Sequence, residues 1–554
     1  MKINAKIIAS TILLCAVPLL LTACMSKGES SSDKDNVAAT AAEKKPFAKY
    51  KNTVKYTVGK SIPGAPKLPK GDSYENNVYT RYIKKNLNAV SVDKFEAENG
   101  DNYDQKVAMA ISTGDLPDIM AVNQSQLQQL VDNDLIQDLS TVYKTSTTKS
   151  IKKMYDSYGG RPLKQATFNG KLMALPTTQT NNLPTMLWVR KDWMDKLGLA
   201  APKNIDDVEN ILEQFVAKDP GNNGKGKTIG LGLSKTVGGS YASLFQADDV
   251  MSKFNSFPRQ WIKQDGKVVY GSTTPETKKA LGYLQGWFKK GLIDPQMSVR
   301  DKIESVITSG QCGAFFGPWW SGDYPLTDAY KNNPKADWQP YVITDKYGKV
   351  KAYTQNTAGS YFVVRKGFKH PELLAKIASL LNDKLVYKDY AYKPIVNYGL
   401  KGYDGGKPVD LLINYATATT DMHDNIMKAI NGKKDPKTLI LDDYQNYKKI
   451  KAYNADPANA DNNAWSGHIT RDVSTGKMKD TLSKIEEVHP VFFGQTATMK
   501  QKWANLSKME DATFLKIVTN QESVDKFDDF VKSWHKLGGD EITKEVKQEI
   551  KSQN

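Results

Sequence analysis

From about Tyr50 onward, apolar and polar positions fall into short alternating runs and longer stripes at helical spacing. Val54 to Gly59 alternates like a half-buried strand, and Val90 to Phe95 and Leu116 to Met120 read as further strands. Between them the spacing predicts helices over Asn76 to Leu87 and Tyr103 to Ile111, the second stopped by Gly114, and a short helix over Gln126 to Val131. Asn169-Gly170 and Asp265-Gly266 are tight hairpin turns, before Lys171 to Leu175 and Val268 to Tyr270. Met186 to Val189 is a strand and Lys191 to Leu197 a helix that Gly198 ends. Ile205, Val208, Ile211, Leu212 and Phe215 share one helix face, and a helix over Thr277 to Lys290 stops at Gly291. Val524, Phe527, Phe530, Val531, Trp534 and Leu537 make a last apolar stripe, capped by Gly538-Gly539 and read as core. Strands interleaved with helices in this way predict an α/β architecture.

The N-terminal pattern is of another kind. Lys2 and Lys6 precede an apolar run from Ile7 to Leu20, too short for a spanning helix, and Leu21-Thr22-Ala23-Cys24 follows directly. Residues 1–23 read as a lipoprotein signal peptide, cleaved so that Cys24 is lipidated; an ordinary secretory signal or an uncleaved anchor is the plainer alternative. Two acyl chains, at about 0.8 kcal/mol per buried CH₂, hold a protein stably at a bilayer. Met25 to about Pro46 is polar and free of aromatics, so residues 24–49 read as a flexible tether. The expected location is the extracellular face of the cell membrane.

Composition narrows the chemistry. The net charge of +16 comes from scattered lysines, which fit a solvated basic surface or attraction to an anionic partner. Nucleic acid is disfavoured by the exported location, and no binding motif for it occurs. Of Cys15, Cys24 and Cys312, only Cys312 stays in the folded part, so an intramolecular disulfide is ruled out and a buried thiol is expected. There is no G-x-S-x-G elbow, no H-E-x-x-H and no phosphate-binding glycine loop after a strand. His370, His423, His468, His489 and His535 stand singly, so neither a zinc site nor a cofactor is expected. Paired carboxylates for glycoside cleavage stay open, because such pairs meet in space rather than in sequence.

One segment stands out: Phe315-Phe316-Gly317-Pro318-Trp319-Trp320-Ser321-Gly322-Asp323-Tyr324. Adjacent tryptophans in a Gly/Pro-bounded loop cannot both point into one core, and flat aromatic faces suit the C–H faces of sugar rings. The plainer reading is a loop packed on the core with one tryptophan partly exposed. Polar side chains also cluster at Tyr74 to Asn77, Asn123 to Gln126 and Thr177 to Asn182, each by itself ordinary loop chemistry.

Several stretches taken in order resemble the extracellular solute-binding proteins of family 1, in the branch of Gram-positive sugar-binding lipoproteins of ABC importers. They are Ser112 to Ile119, Asn169 to Pro176, Trp188 to Leu199, Asp265 to Gly271, Gly291 to Pro295 and Phe527 to Val546, and the resemblance runs from about residue 50 to 548. It implies two periplasmic-binding-protein-like α/β lobes joined by hinge crossovers, with the ligand held in the cleft between them. Residues 50–176 plus about 345–400 would form one lobe, and residues 177–344 plus about 401–554 the other. Asn77, Asn123, Gln124, Gln179, Thr180, Trp319, Trp320, Asp323 and Tyr324 would then contact the ligand, whereas Asp118 would be structural, closing a turn. Where many relatives carry a calcium loop, this chain has Asp219 to Gly230. Asp219 and Asn223 keep oxygen donors and Lys225 could offer a carbonyl, but Gly221 and Lys227 replace expected ligands, so the loop reads as a degraded site held as a turn.

The implied protein is a monomeric, non-enzymatic receptor that captures an oligosaccharide and hands it to ABC permease subunits. Its basic surface leaves room for an acidic sugar. The alternatives are a surface-anchored hydrolase or lyase acting on polysaccharide, and an adhesion or scaffold lipoprotein.

Overall fold

The computed structural model describes residues 38–64, 67–179, 183–353, 356–403 and 406–553. The signal peptide, Cys24, the first part of the tether and Thr180 lie outside the described residues. No helix among the described residues is long and apolar enough to cross a membrane.

Val54–Ile62 lies near the middle of a mixed sheet, parallel to Ala89–Glu98 on one side and to Ile119–Val122 on the other. Ala358–Val364 returns antiparallel beside Ile119–Val122, and Leu175–Thr178 closes the far edge. Val54, Tyr56 and Val58 point alternately into the core, as the sequence pattern requires. Asn169 and Gly170 both take positive φ, 49° and 76°, which only the hairpin turn anticipated from Asn-Gly supplies. Asp118 is structural, but it stands before its strand. Its carboxylate accepts from the Thr57 N–H at 2.8 Å and the Thr57 hydroxyl at 2.9 Å, while Arg365 donates to its other oxygen at 2.6 Å.

The second sheet runs Trp338–Tyr341, Met186–Arg190, Cys312–Gly317, Ile229–Gly232. Its central strands are buried on both faces: Leu187, Val189, Ala314 and Phe316 enter one core, Met186, Trp188 and Phe315 another. Burial of this kind replaces alternation with a continuous apolar run. Cys312 is buried in this sheet, and burial pushes its thiol up to about 12. In the C-terminal stripe Phe527, Phe530 and Trp534 are buried, but Leu537 is half exposed, because Gly538 at φ 134° kinks the helix. The expected core role for Leu537 is therefore corrected.

The first core continues past residue 400 to Val409, Leu411, Ile413 and Leu441. From Leu441–Ala455 the chain turns toward the second lobe, where Trp465 stacks on Tyr330 with ring centroids 4.6 Å apart. Val350–Tyr353, in the run returning to the first sheet, pairs in parallel with Ile485–Val488.

Of the tether expected over residues 24–49 the structure describes residues 38–49, and these are not free chain. Residues 38–49 fold back in turns, and Ala39 packs on the first core. The Glu43 carboxylate accepts from the Lys51 N–H and the Thr40 N–H, both at 2.9 Å, which holds it down at about 2. The fully buried Lys376 donates to the Glu43 carbonyl and lies 3.7 Å from the Tyr50 ring centre; Tyr50 in turn donates to Glu372 at 2.8 Å. A short polar segment docks because a buried cation and a satisfied carboxylate replace the apolar surface that it lacks.

Candidate functional site

The two sheets present edges that the crossing segments join. Val122, Thr178 and Ala358 lie at one edge of the first sheet, so Asn123, Gln179 and Thr357 emerge there together. Met186, Gly317 and Gly232 lie at one edge of the second sheet, where Thr185, Pro318 and Leu233 emerge. Gln179 leaves the first of these edges and Thr185 enters the second. In open α/β sheets this is where ligands bind, beyond the strand ends and next to the crossings.

The anticipated residues divide on this frame. Asn77 is fully buried and caps Val78–Leu87: its Oδ1 accepts from Tyr79 and Thr80, and its Nδ2 donates to the carbonyls of Ser73, Tyr74 and Gly406. With every donor and acceptor used, Asn77 holds the fold instead of facing a ligand. Asn123 is exposed and caps the next helix through the Gln126 N–H at 2.9 Å. The half-buried Gln124 has its Oε1 buried without a hydrogen-bond partner in the chain. Gln179 is tied through its N–H to the Thr357 carbonyl, and its side chain lies over Gly359, where a Cβ would come within 2.3 Å of its Nε2.

Trp319 and Trp320 sit half-buried in a single 3₁₀ turn at the second sheet's edge. The turn is fixed by the Pro318 carbonyl, which accepts from Trp188 Nε1 at 3.1 Å and Ser321 Oγ at 2.7 Å. One face of Trp319 carries the Arg471 guanidinium at 5.3 Å. Asp323 pairs with that arginine and with Ser466, so its oxygens fasten the turn to the helical segment beyond Trp465. Tyr324 is 47% exposed beside Glu304, its hydroxyl raised by burial and then by the Glu304 charge.

The concave surface between the lobes is built largely from other residues. A cavity of about 320 Å³ opens between Gln124 and Ser125 of the first lobe and Arg259, Gln260, Trp261, Phe492 and Trp503 of the second. A smaller one of about 30 Å³ lies beside the crossings, among Thr185, Tyr241, Gln246, Asp248, Asp249 and Tyr353. The two adjoin, because Tyr353 stacks on Tyr241 with centroids 4.3 Å apart and donates its hydroxyl to Gln260. Ser125 donates to Gln495 Oε1 at 2.8 Å and Lys500 lies 3.3 Å from Asp132, so the lobes touch along this rim.

Electrostatics at the groove are tightly bound up. Arg259, at φ 61°, pairs with the buried Glu510 at 3.3 Å and with Asp511, while Tyr270 and Ser272 donate to Glu510 at 2.9 and 2.8 Å. Asp248 accepts from the N–H groups of Gly239 and Ser240, yet burial still pushes its carboxyl up to about 6. Asp249 is also raised by burial, with Lys253 at 3.3 Å from one oxygen. Both aspartates come from one turn of one wall, which is not the arrangement of two carboxylates flanking a glycosidic bond. Nothing in the sequence marked Tyr241, Gln260 or Trp503, because each comes from a separate segment and only the fold brings them together.

The model of the bacterial extracellular solute-binding proteins matches residues 65–384, more than half of the chain. The chain belongs to that family. Among relatives, lipoprotein LipO of Bacillus subtilis (strain 168) is 23% identical over 395 residues, covering 69% of this chain and 72% of LipO. The fructooligosaccharide ABC transporter substrate-binding protein FusA of Streptococcus pneumoniae serotype 4 is 26% identical over 352 residues, 60% of each chain. Structures of solute-binding proteins superpose over nearly their whole length. FusA in complex with kestose gives a TM-score of 0.59 at 17% identity, covering 90% of this chain and 99% of FusA. Alginate-binding protein AlgQ2 without calcium ion gives 0.60 at 14%, covering 91% and 99%. The fold is the periplasmic-binding-protein-like α/β one that the resemblance implied.

The loop Asp219 to Gly230, anticipated as a degraded calcium site held as a turn, is bonded within itself. Asp219 Oδ1 accepts from the Asn223 N–H at 2.9 Å and from the Thr228 hydroxyl at 2.5 Å, and Oδ2 accepts from the Gly224 N–H at 2.9 Å. Asn223 donates its amide to Thr228 at 3.0 Å. These oxygens already accept hydrogen bonds from their own loop, and among the described residues no group of three or more His, Cys, Asp or Glu is placed to hold a metal. The donor set does not fit calcium. The expected result is a melting temperature unchanged by calcium or by chelator, with Thr228→Val costing about 1 kcal/mol in urea unfolding.

Proposed function

We propose that this solute-binding protein is the substrate-capturing component of an ABC importer, tethered through lipidated Cys24, that binds an oligosaccharide between its lobes and delivers it to a membrane permease without altering it. The observation that carries the reading is the interlobe groove, in which aromatic faces (Tyr241, Tyr353, Trp261, Trp503) alternate with amides (Gln124, Gln246, Gln260). Apolar ring faces suit sugar C–H surfaces, and amides bond hydroxyls in either sense. Relatives named for fructooligosaccharide and for alginate support the substrate class, although one of these ligands is neutral and the other acidic.

A thermal-shift series against oligosaccharides, with the sugar recovered and weighed by mass spectrometry, tests this. Ligand that binds only the folded state raises the melting temperature. The expected result is a rise with intact sugar, lost in Trp503→Ala. Cleaved sugar would instead establish the hydrolase or lyase, and no shift with any sugar would remove the carbohydrate reading.

A further inference from the structure

We propose that the ligand is an uncharged oligosaccharide, because the groove lining offers buried acceptors for hydroxyl protons and almost no cation for a carboxylate. This rests on the sugar-receptor reading above and names the ligand class that the reading leaves open.

The first argument is the sense of the unmet hydrogen bonds. Gln124 Oε1 is buried with no hydrogen-bond partner in the chain, and Asp248 and Asp249, the latter already met by Lys253 and Thr185, add two buried carboxylates to the adjoining cavity, while the unbonded donor Arg259 Nε faces Glu510 at 3.3 Å. A buried acceptor without a donor is costly, and a sugar hydroxyl supplies the donor. A uronate carboxylate is an acceptor only, so it adds to the deficit. Asp249 is 6% exposed, so little solvent screens it from an incoming anion.

The second argument is the state of the cations. The guanidinium of Arg259 is answered by Glu510 and by Asp511, and Lys253 by Asp249. Arg471, over Trp319, is paired with Asp323. Lys351, the remaining lysine of the lining, donates to Asn255 Oδ1. The described crossing residues, Gln179, Leu183 to Thr185, Asn356 and Thr357, include no lysine or arginine. Recognition of a carboxylate generally uses a free arginine fork, and no lining arginine is free to form one. The basic net charge acts at a distance and is screened beyond about 8 Å at physiological salt, so it biases approach without choosing the bound ligand.

Calorimetric titration of the purified protein against length-matched neutral and uronic-acid oligosaccharides decides the matter. The expected result is binding of a neutral sugar and none by its uronate counterparts. Gln124→Met, which removes the unpaired acceptor at a half-buried position and breaks no ion pair, should weaken the neutral ligand about tenfold or more while the melting temperature of the free protein does not fall. Tight uronate binding that is weakened by salt and by Lys351→Met would overturn this inference and leave the receptor intact. Binding of neither class would overturn the receptor reading, and this inference with it.

Discussion

Asp118→Ala should destabilise the first lobe by about 2 to 3 kcal/mol and leave the second lobe's unfolding where it was. The carboxylate, immediately before Ile119–Val122, ties that strand to its neighbours on both sides, which are distant in sequence: it takes two donors from Thr57 and one from Arg365. Removing it, at a position itself 8% exposed, leaves the half-buried Thr57 N–H and hydroxyl without their acceptor. The Arg365 contribution is small, since that side chain is 38% exposed and solvent replaces the carboxylate. The measurement is favoured by an accident of composition. All ten tryptophans lie between Trp188 and Trp534, and none belongs to the first core. Urea unfolding followed by tryptophan fluorescence therefore reports the second lobe, while far-ultraviolet circular dichroism reports both. The expected outcome is a shifted dichroism transition over an unmoved fluorescence transition; a shift of both alike would mean that the lobes unfold as one unit.

Glu510→Ala should show the converse, at about 3 kcal/mol. Its side chain is 1% exposed and holds Arg259, Tyr270 and Ser272 together at the rim of the groove. Truncation leaves two buried hydroxyls without an acceptor and a partly buried guanidinium with Asp511 alone. Since Arg259 stays a quarter exposed and keeps one partner, the loss falls at the lower end of the range for a broken buried pair. Trp261 and Trp503 line the same cavity as Arg259, so the fluorescence transition is the one that moves. Glu510→Gln retains the acceptor for Tyr270 or Ser272 and should lose less. Equal losses for both variants would show that shape at this position outweighs hydrogen bonding.

What could be read from the sequence was whatever is encoded locally. Asn169-Gly170 and Asp265-Gly266 specify their turns through backbone angles that few other pairs adopt, and both are found as expected. The strand at Val54 declares itself because one face alternates, and Gly114 ends its helix at φ 71°. The groove is not local. Tyr241 comes from a glycine-rich loop, Tyr353 from a crossing and Trp503 from a C-terminal helix, and no spacing links them. Asn77 did carry a legible signal, an asparagine directly before the first apolar helical residue with Thr80 three positions on. That is a capping box, and it accounts for the whole side chain.

The docked segment around Glu43 and Lys376 also determines which half of the receptor can travel. On the anchored reading, residues 24–37 alone separate the acylated cysteine from protein that is already fastened to the first lobe, and so short a stretch spans at most about 50 Å. Any pull from the bilayer is delivered to Tyr50, Glu372 and Lys376, and from them to the first sheet. On that reading the first lobe would be the held jaw. On the same reading the second lobe, connected to the first through the crossings and the Ser125 to Gln495 contact, would be the one to swing if the groove closes, and a permease would meet a clamp with one side held near the membrane.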